Sequence, residues 1–263
     1  MREMFEAFAP QRCVSHGLLD GTRQAVTFDA TTLFVDLAGF TPLTERLAGL
    51  GSRGTEELSR LLRRFFGAVT DVVLDRGGDP VAYGGDALTV VFDGPVASTA
   101  ADAVRCAEAI QELARRTAGS TTVAGPVSLQ ARIGVARGPV TTAVARSARR
   151  SLPVHLGAGL DLAVAAEGVA AAGHVVVHPS ASAGLDCPAQ RPEPSPPTFV
   201  TAGADTKAAL ARFVHPLVSA RLGVGGELLE SHRTVTVAFV SFPPPDLRLL
   251  SSFLGAVEEM LEL

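Results

Sequence analysis

Residues 31–45 read TTLFVDLAGFTPLTE. The apolar burst Leu33-Phe34-Val35 predicts the end of a buried strand, with a carboxylate, Asp36, at its tip. Gly39 permits a tight bend, and Thr41-Pro42 predicts a helix N-cap followed by proline at the first helical position. A carboxylate beside a helix start whose free N–H groups face outward can hold a metal bound to a phosphate chain.

Downstream of this stretch, Gly49, Gly51 and Gly54 predict a turn. Leu58, Leu61, Leu62, Phe65, Phe66, Val69, Val72 and Val73 then recur at helical spacing, so one face of a helix packs on a sheet. Gly77-Gly78 stops that helix. Residues 80–83 and 87–92 predict two strands joined across Gly84-Gly85-Asp86, with Asp86 at the tip of the hairpin. An Ala-rich helix over 96–117 follows, burying Val104, Ala107, Ile110 and Gln111. Residues 129–135 alternate as a strand, Gly138-Pro139 predicts a turn, and 140–145 a further strand. A helix over 157–172 and a strand over 174–177 complete the pattern, and five prolines between 187 and 197 mark a loop. Strand, helix, hairpin, helix, strand is the split βαβ order of an α+β, ferredoxin-like βαββαβ sandwich with extra strands.

The end of the chain repeats this beginning. Residues 234–242, TVTVAFVSF, mirror 31–37, and 250–257 mirror 62–69. The order predicts an N-terminal helix and linker over 1–28, a main domain over 29–228, and the truncated start of a second repeat over 229–263. In that repeat Ser241 stands where Asp36 stands in the first.

With 47% hydrophobic and 19% charged residues among 263, the chain can bury a large core. A net charge of −4 and a pI near 5.9 argue against nucleic acid as the main partner. Cys13, Cys106 and Cys187 are odd in number and far apart, which suggests neither a disulfide frame nor a zinc site. His174 and His178 read as surface histidines. No apolar run is free of charge for long enough to span a membrane, and the start has no signal core, so the expectation is a soluble, cytoplasmic protein.

Asp36 and Asp86 are the pair that carries chemistry. Both are predicted to project from one edge of the sheet, where two carboxylates can bridge two divalent cations. The blocks FVDLAGFTPLTE, GGDPVAYGGDALTVVF and RIGVARGPV resemble the signatures of class III nucleotidyl cyclases, over roughly residues 31–177. The faint repeat is closest in layout to the tandem soluble adenylyl cyclases. The resemblance implies that Asp36, Asp86 and the backbone of Leu37 bind two Mg²⁺ or Mn²⁺ ions. It also implies that the backbone of Ala38, Gly39, Phe40 and Thr41 binds phosphates. The implied reaction converts ATP or GTP to a 3′,5′-cyclic nucleotide and pyrophosphate at a dimeric interface, with a second cyclase-type domain supplied in cis or in trans.

The departures are as specific as the matches. The family's purine-reading positions are Ala82 and Val154 here, its ribose-orienting asparagine is Asp161, and its transition-state arginine is Ala165. No Lys or Arg occurs from 151 to 190, and Lys207 is the only lysine in the chain. The sequence therefore predicts the metal- and phosphate-binding half of a site, working with a complementary domain. Two other readings remain: a catalytically inactive regulatory domain that binds metal and nucleotide, and a diguanylate cyclase, which Tyr83-Gly84-Gly85-Asp86-Ala87 echoes without that family's glutamate.

Overall fold

Strand β1 (Ala25–Ala38) is the axis on which the sheet is built. The structure, a computed structural model, describes residues 10–183, 185, 204–215, 218 and 246–260. After a short α1 (Gln11–Ser15), β1 is followed by α2 (Phe40–Ala48), α3 (Gly51–Leu74), the hairpin β2 (Asp79–Gly84) and β3 (Ala87–Asp93), and α4 (Val96–Ala118). A small ribbon, β4 (Thr121–Thr122) and β5 (Gly125–Pro126), leads to β6 (Gln130–Arg146), β7 (Ser151–Leu156), α5 (Ala158–Gly168), β8 (Val175–Val177) and α6 (Pro179–Ser182). Two further helices are described, α7 (Ala204–Ala211) and α8 (Leu247–Met260).

The main sheet runs β2-β3-β1-β6-β7, with β8 pairing parallel to β6. Strands β6, β1, β3 and β2, with α3 and α4 as the crossovers, form the expected ferredoxin-like unit; β7 and β8 are the additions. Alternation along β1 sends Leu33, Val35 and Leu37 to one face, where Leu88, Val90, Phe92, Ile133 and Val135 join them. Phe65, Val69 and Val73 of α3 and Ala103, Cys106, Ala107 and Ile110 of α4 cover that face at helical spacing. Burying each Leu, Val or Phe of this set contributes about 1.5–3 kcal/mol before entropy is counted. Gln111, also on the buried side of α4, donates to Ala131 O at 2.8 Å and His174 O at 3.1 Å, so its amide is buried without penalty.

Chain contacts divide the protein into two units. Residues 28–140 and 156–197 form one, which contains the core just described. Residues 1–27, 141–155 and 198–263 belong to the other. In that second unit Cys13, Leu18 and Val144 make a small cluster with Leu19, Val26 and Phe213. His155 there bonds Thr142 Oγ1 through Nδ1 at 3.1 Å, and burial pushes its pKa down to about 4.

Four local expectations are corrected. Gly138-Pro139 does not turn the chain: β6 runs unbroken over 17 residues, and Gly138 is not among the positive-φ glycines. Gly51 and Gly54 lie inside α3, and only residues 49 and 50 separate it from α2. Strand β7, over residues that show no alternation of apolar and polar side chains, was not predicted from sequence; pairing with β6 makes it a strand. Helix α5 stops at Gly168 instead of 172, because glycine is a poor helix former and Ala170 N–H turns back to Glu167 O at 2.8 Å. The helix predicted in the second repeat is present as α8, while the strand 234–242 and the proline-rich loop 187–197 lie outside the described residues. Among the described residues, no helix is long and apolar enough to cross a membrane.

Candidate active site

Asp36 lies near the end of β1, directly opposite Ala87 of β3. The turn between β2 and β3 is the pair Gly85-Asp86, closed by Gly84 opposite Ala87. Asp86 therefore stands one residue before the cross-strand partner of Asp36, and both carboxylates belong to one corner of the sheet. On the other side of β1, Arg132 of β6 reaches Asp36. Its Nε donates to Asp36 Oδ2 at 3.2 Å, and a terminal guanidinium nitrogen donates to the same oxygen.

The same Nε lies 3.1 Å from Glu167 Oε1 on α5. The Glu167 side chain is only 9% exposed, and its Oε1 has no hydrogen-bond partner among the described residues. Residues 132 and 134 point to one face of β6 by strand alternation. A Cβ on Gly134 would lie 2.0 Å from Ala163 O and 2.4 Å from Glu167 N, so this glycine lets the backbone of α5 settle on the strand and brings Glu167 to Arg132.

One guanidinium thus faces three acids. Its pKa is raised first by the hydrogen bond with Asp36, then by the charge of Glu167, with Asp86 adding to the effect. The Glu167 carboxyl is raised by burial, which outweighs the lowering by Arg132, and Asp36 pushes it the same way. Among the described residues, no three His, Cys, Asp or Glu side chains converge on a metal position. Two aspartates fit a hard ion of the Mg²⁺ or Mn²⁺ type, which takes one or two carboxylates and completes its shell with water and phosphate oxygens.

The helix start lies beside this corner. Strand β1 ends at Ala38, Gly39 adopts φ 89°, and α2 begins at Phe40. The N-cap is Gly39 and not Thr41, so Pro42 is the third helical residue. A Cβ on residue 39 would meet Ser128 O at 2.3 Å, so glycine is required both for the conformation and for the space. No side chain caps the helix, and Gly39 and Thr41 are exposed, which leaves the first backbone N–H groups available to an anion.

The four departing positions lie on β2, β7 and α5. Asp161 and Ala165 lie one turn apart on the exposed side of α5, opposite the buried Gly159, Ala163, Ala166 and Glu167. Ala82 is exposed on β2, opposite Thr89. Val154 is half-buried on β7, in the other unit.

A family model, "Adenylate and Guanylate cyclase catalytic domain", matches residues 24–208. The chain belongs to this family. Adenylate cyclase type 10 of Rattus norvegicus is 27% identical to this chain over 158 residues, which is 58% of this chain and 10% of the relative. Adenylate cyclase 1 of Rhizobium meliloti (strain 1021) is 25% identical over 170 residues, 63% of this chain and 25% of the relative. The chain thus spans a quarter or less of the length of these curated relatives. The crystal structure of the guanylyl cyclase Cya2 superposes with a TM-score of 0.53 at 26% identity, covering 62% of this chain and 80% of that one. Two residues of this corner had no role in the sequence analysis. Arg132 lay within the quoted block RIGVARGPV without a role, and Glu167 was hidden as one acid in an alanine-rich helix.

Proposed function

We propose that this domain is the metal- and phosphate-binding half of a class III nucleotidyl cyclase site. With a complementary domain, it would form a 3′,5′-cyclic nucleotide and pyrophosphate from ATP or GTP. The observation that carries this reading is the pairing of Asp36 opposite Ala87, which brings Asp36 and Asp86 to one corner beside an uncapped helix start. Asp36, Asp86 and the Leu37 carbonyl would hold two Mg²⁺ or Mn²⁺ ions; when bound, these lower the pKa of the attacking hydroxyl and neutralise the triphosphate. In the reaction the ribose 3′-oxygen loses its proton and bonds to the α-phosphorus, and the bond to the pyrophosphate oxygen breaks.

In this reading the chain's own groups bind and orient. The Phe40 and Thr41 N–H groups at the start of α2 would donate hydrogen bonds to the phosphate oxygens. Arg132 holds the Asp36 carboxylate in place at the corner until a cation occupies it. Asp161 and Ala165 offer no cation for a transition state that gathers charge on phosphate, so a partner domain must supply it.

The same bare face of α5 favours a second reading, a regulatory domain that binds metal and nucleotide without turnover. Calorimetric titration of Mn²⁺ with ATP or GTP tests what the two readings share. Asp36→Asn should weaken binding at least about tenfold, the lower end of what losing even an outer-shell metal partner costs. Equal affinities in wild type and variant would retire the metal site.

A further inference from the structure

The corner holds one acid that the metal reading does not use. Glu167 is buried, it contacts Arg132, and its Oε1 has an unfilled hydrogen-bonding site among the described residues. A buried carboxylate oxygen left without a hydrogen bond is costly, so its retention beside a guanidinium needs a reason. The geometry supplies one. Arg132 Nε is 3.2 Å from Asp36 Oδ2 and 3.1 Å from Glu167 Oε1, but only the contact with Asp36 has the alignment of a hydrogen bond. The guanidinium stands between two acceptors, bonded to one and adjacent to the other.

We infer that Glu167 is a positioning residue that takes Arg132 over from Asp36 when Asp36 binds a divalent cation. The inference rests on the metal reading above. A cation arriving at Asp36 competes with the guanidinium for the same carboxylate and repels it. The released Arg132 needs an anion within reach, and Glu167 is already there with an open acceptor. A rotation of the side chain then exchanges one hydrogen bond for another. Without the Glu167 charge, the one other acid that Arg132 faces is Asp86, itself a metal ligand in this reading, so Arg132 stays on Asp36 and the cation must displace it at full cost. Gly134 fixes the distance over which this exchange works, because it sets the approach of α5 to β6.

The test is a double-mutant cycle read by Mn²⁺ binding to the full chain, with calorimetry for affinity and electron paramagnetic resonance for bound Mn²⁺. The variants are E167Q, R132M and the combination of the two, with thermal unfolding to confirm that each is folded. The penalty of E167Q should be at least about tenfold larger with Arg132 present than in the R132M background. R132M with Glu167 intact should bind Mn²⁺ at least as tightly as wild type, since a competing cation is gone. R132K keeps a competing cation whose single ammonium is handed less readily from one acid to the other than a planar guanidinium, so it should bind Mn²⁺ less tightly than R132M.

An E167Q penalty of equal size in both backgrounds would overturn the inference and make Glu167 a direct ligand or a distant charge. Weaker binding in R132M would overturn it as well, and needs no folded E167Q. D36N separates this failure from that of the metal site. Binding that D36N abolishes while the cycle shows no coupling removes only the role of Glu167; no Mn²⁺ binding in wild type removes both.

Discussion

Two faces of α5 carry opposite chemistry. The buried face ends in Glu167, which meets Arg132 and, through it, Asp36 at the acidic corner of the sheet. The exposed face presents Asp161 and Ala165, one turn apart, which the sequence resemblance matches to an asparagine and an arginine of the cyclase family. One side of a single helix carries a dense set of interacting charges while the other carries no cation. A helix separates its faces completely at a spacing of three to four residues, so half of a shared site can be stripped without disturbing the other half.

The strongest way to break this contrast is to measure turnover. The chain alone, with Mn²⁺ and ATP or GTP, should make little cyclic AMP or cyclic GMP. Adding a cyclase domain that carries the lysine, asparagine and arginine should raise product by about four orders of magnitude, taking about 3 kcal/mol for each of the last two groups. Robust turnover without a partner would show that the exposed face of α5 is not the deficient half of a site.

If the two faces differ in catalysis and not in stability, sensitivity to acid must reside elsewhere. His155 is the place. Its folded pKa of about 4 lies below its unfolded value near 6.5, so the stability held by the neutral ring is complete above pH 6.5. It is lost as pH falls toward 4, by about 3 kcal/mol in total. Denaturant unfolding between pH 7 and 4 checks this, and H155N should flatten the slope.

A smaller effect sharpens the geometry on the buried side. Gly134→Ala places a methyl carbon where the Ala163 and Glu167 backbone already stands, and should cost about 1–3 kcal/mol by overpacking. Thermal unfolding measures the loss. The smallest expected effect is at the hairpin that carries Asp86. The Tyr83 hydroxyl lies 2.7 Å from Thr70 Oγ1 of α3, and its ring meets Phe66 edge-on at 6.0 Å. Tyr83→Phe keeps the ring contact and loses one exposed hydrogen bond, so unfolding should shift by about 1 kcal/mol or less, with Mn²⁺ affinity unchanged.

Local sequence determined the elements whose signals are periodic or punctuated. Apolar spacing from Leu58 to Val73 specified α3 and its buried face, and Gly84-Gly85-Asp86 between two apolar runs specified the hairpin and the position of Asp86. The blocks around Asp36 and Asp86 were enough for the family and hence for the strand order. Tertiary structure alone decided the rest. Nothing local distinguishes Gly138-Pro139 in a turn from the same pair in a long strand; pairing on both sides of β6 makes that choice. The helix start moved from Thr41 to Gly39 because Ser128, 89 residues later in the chain, leaves room there for glycine only. Arg132 meets Asp36 across 96 residues, and Glu167 joins them only because α5 packs on β6 at Gly134. Charges that act through contacts this distant in sequence leave no period and no spacing to read, so the sequence could name the two aspartates but not the arginine and glutamate that face them.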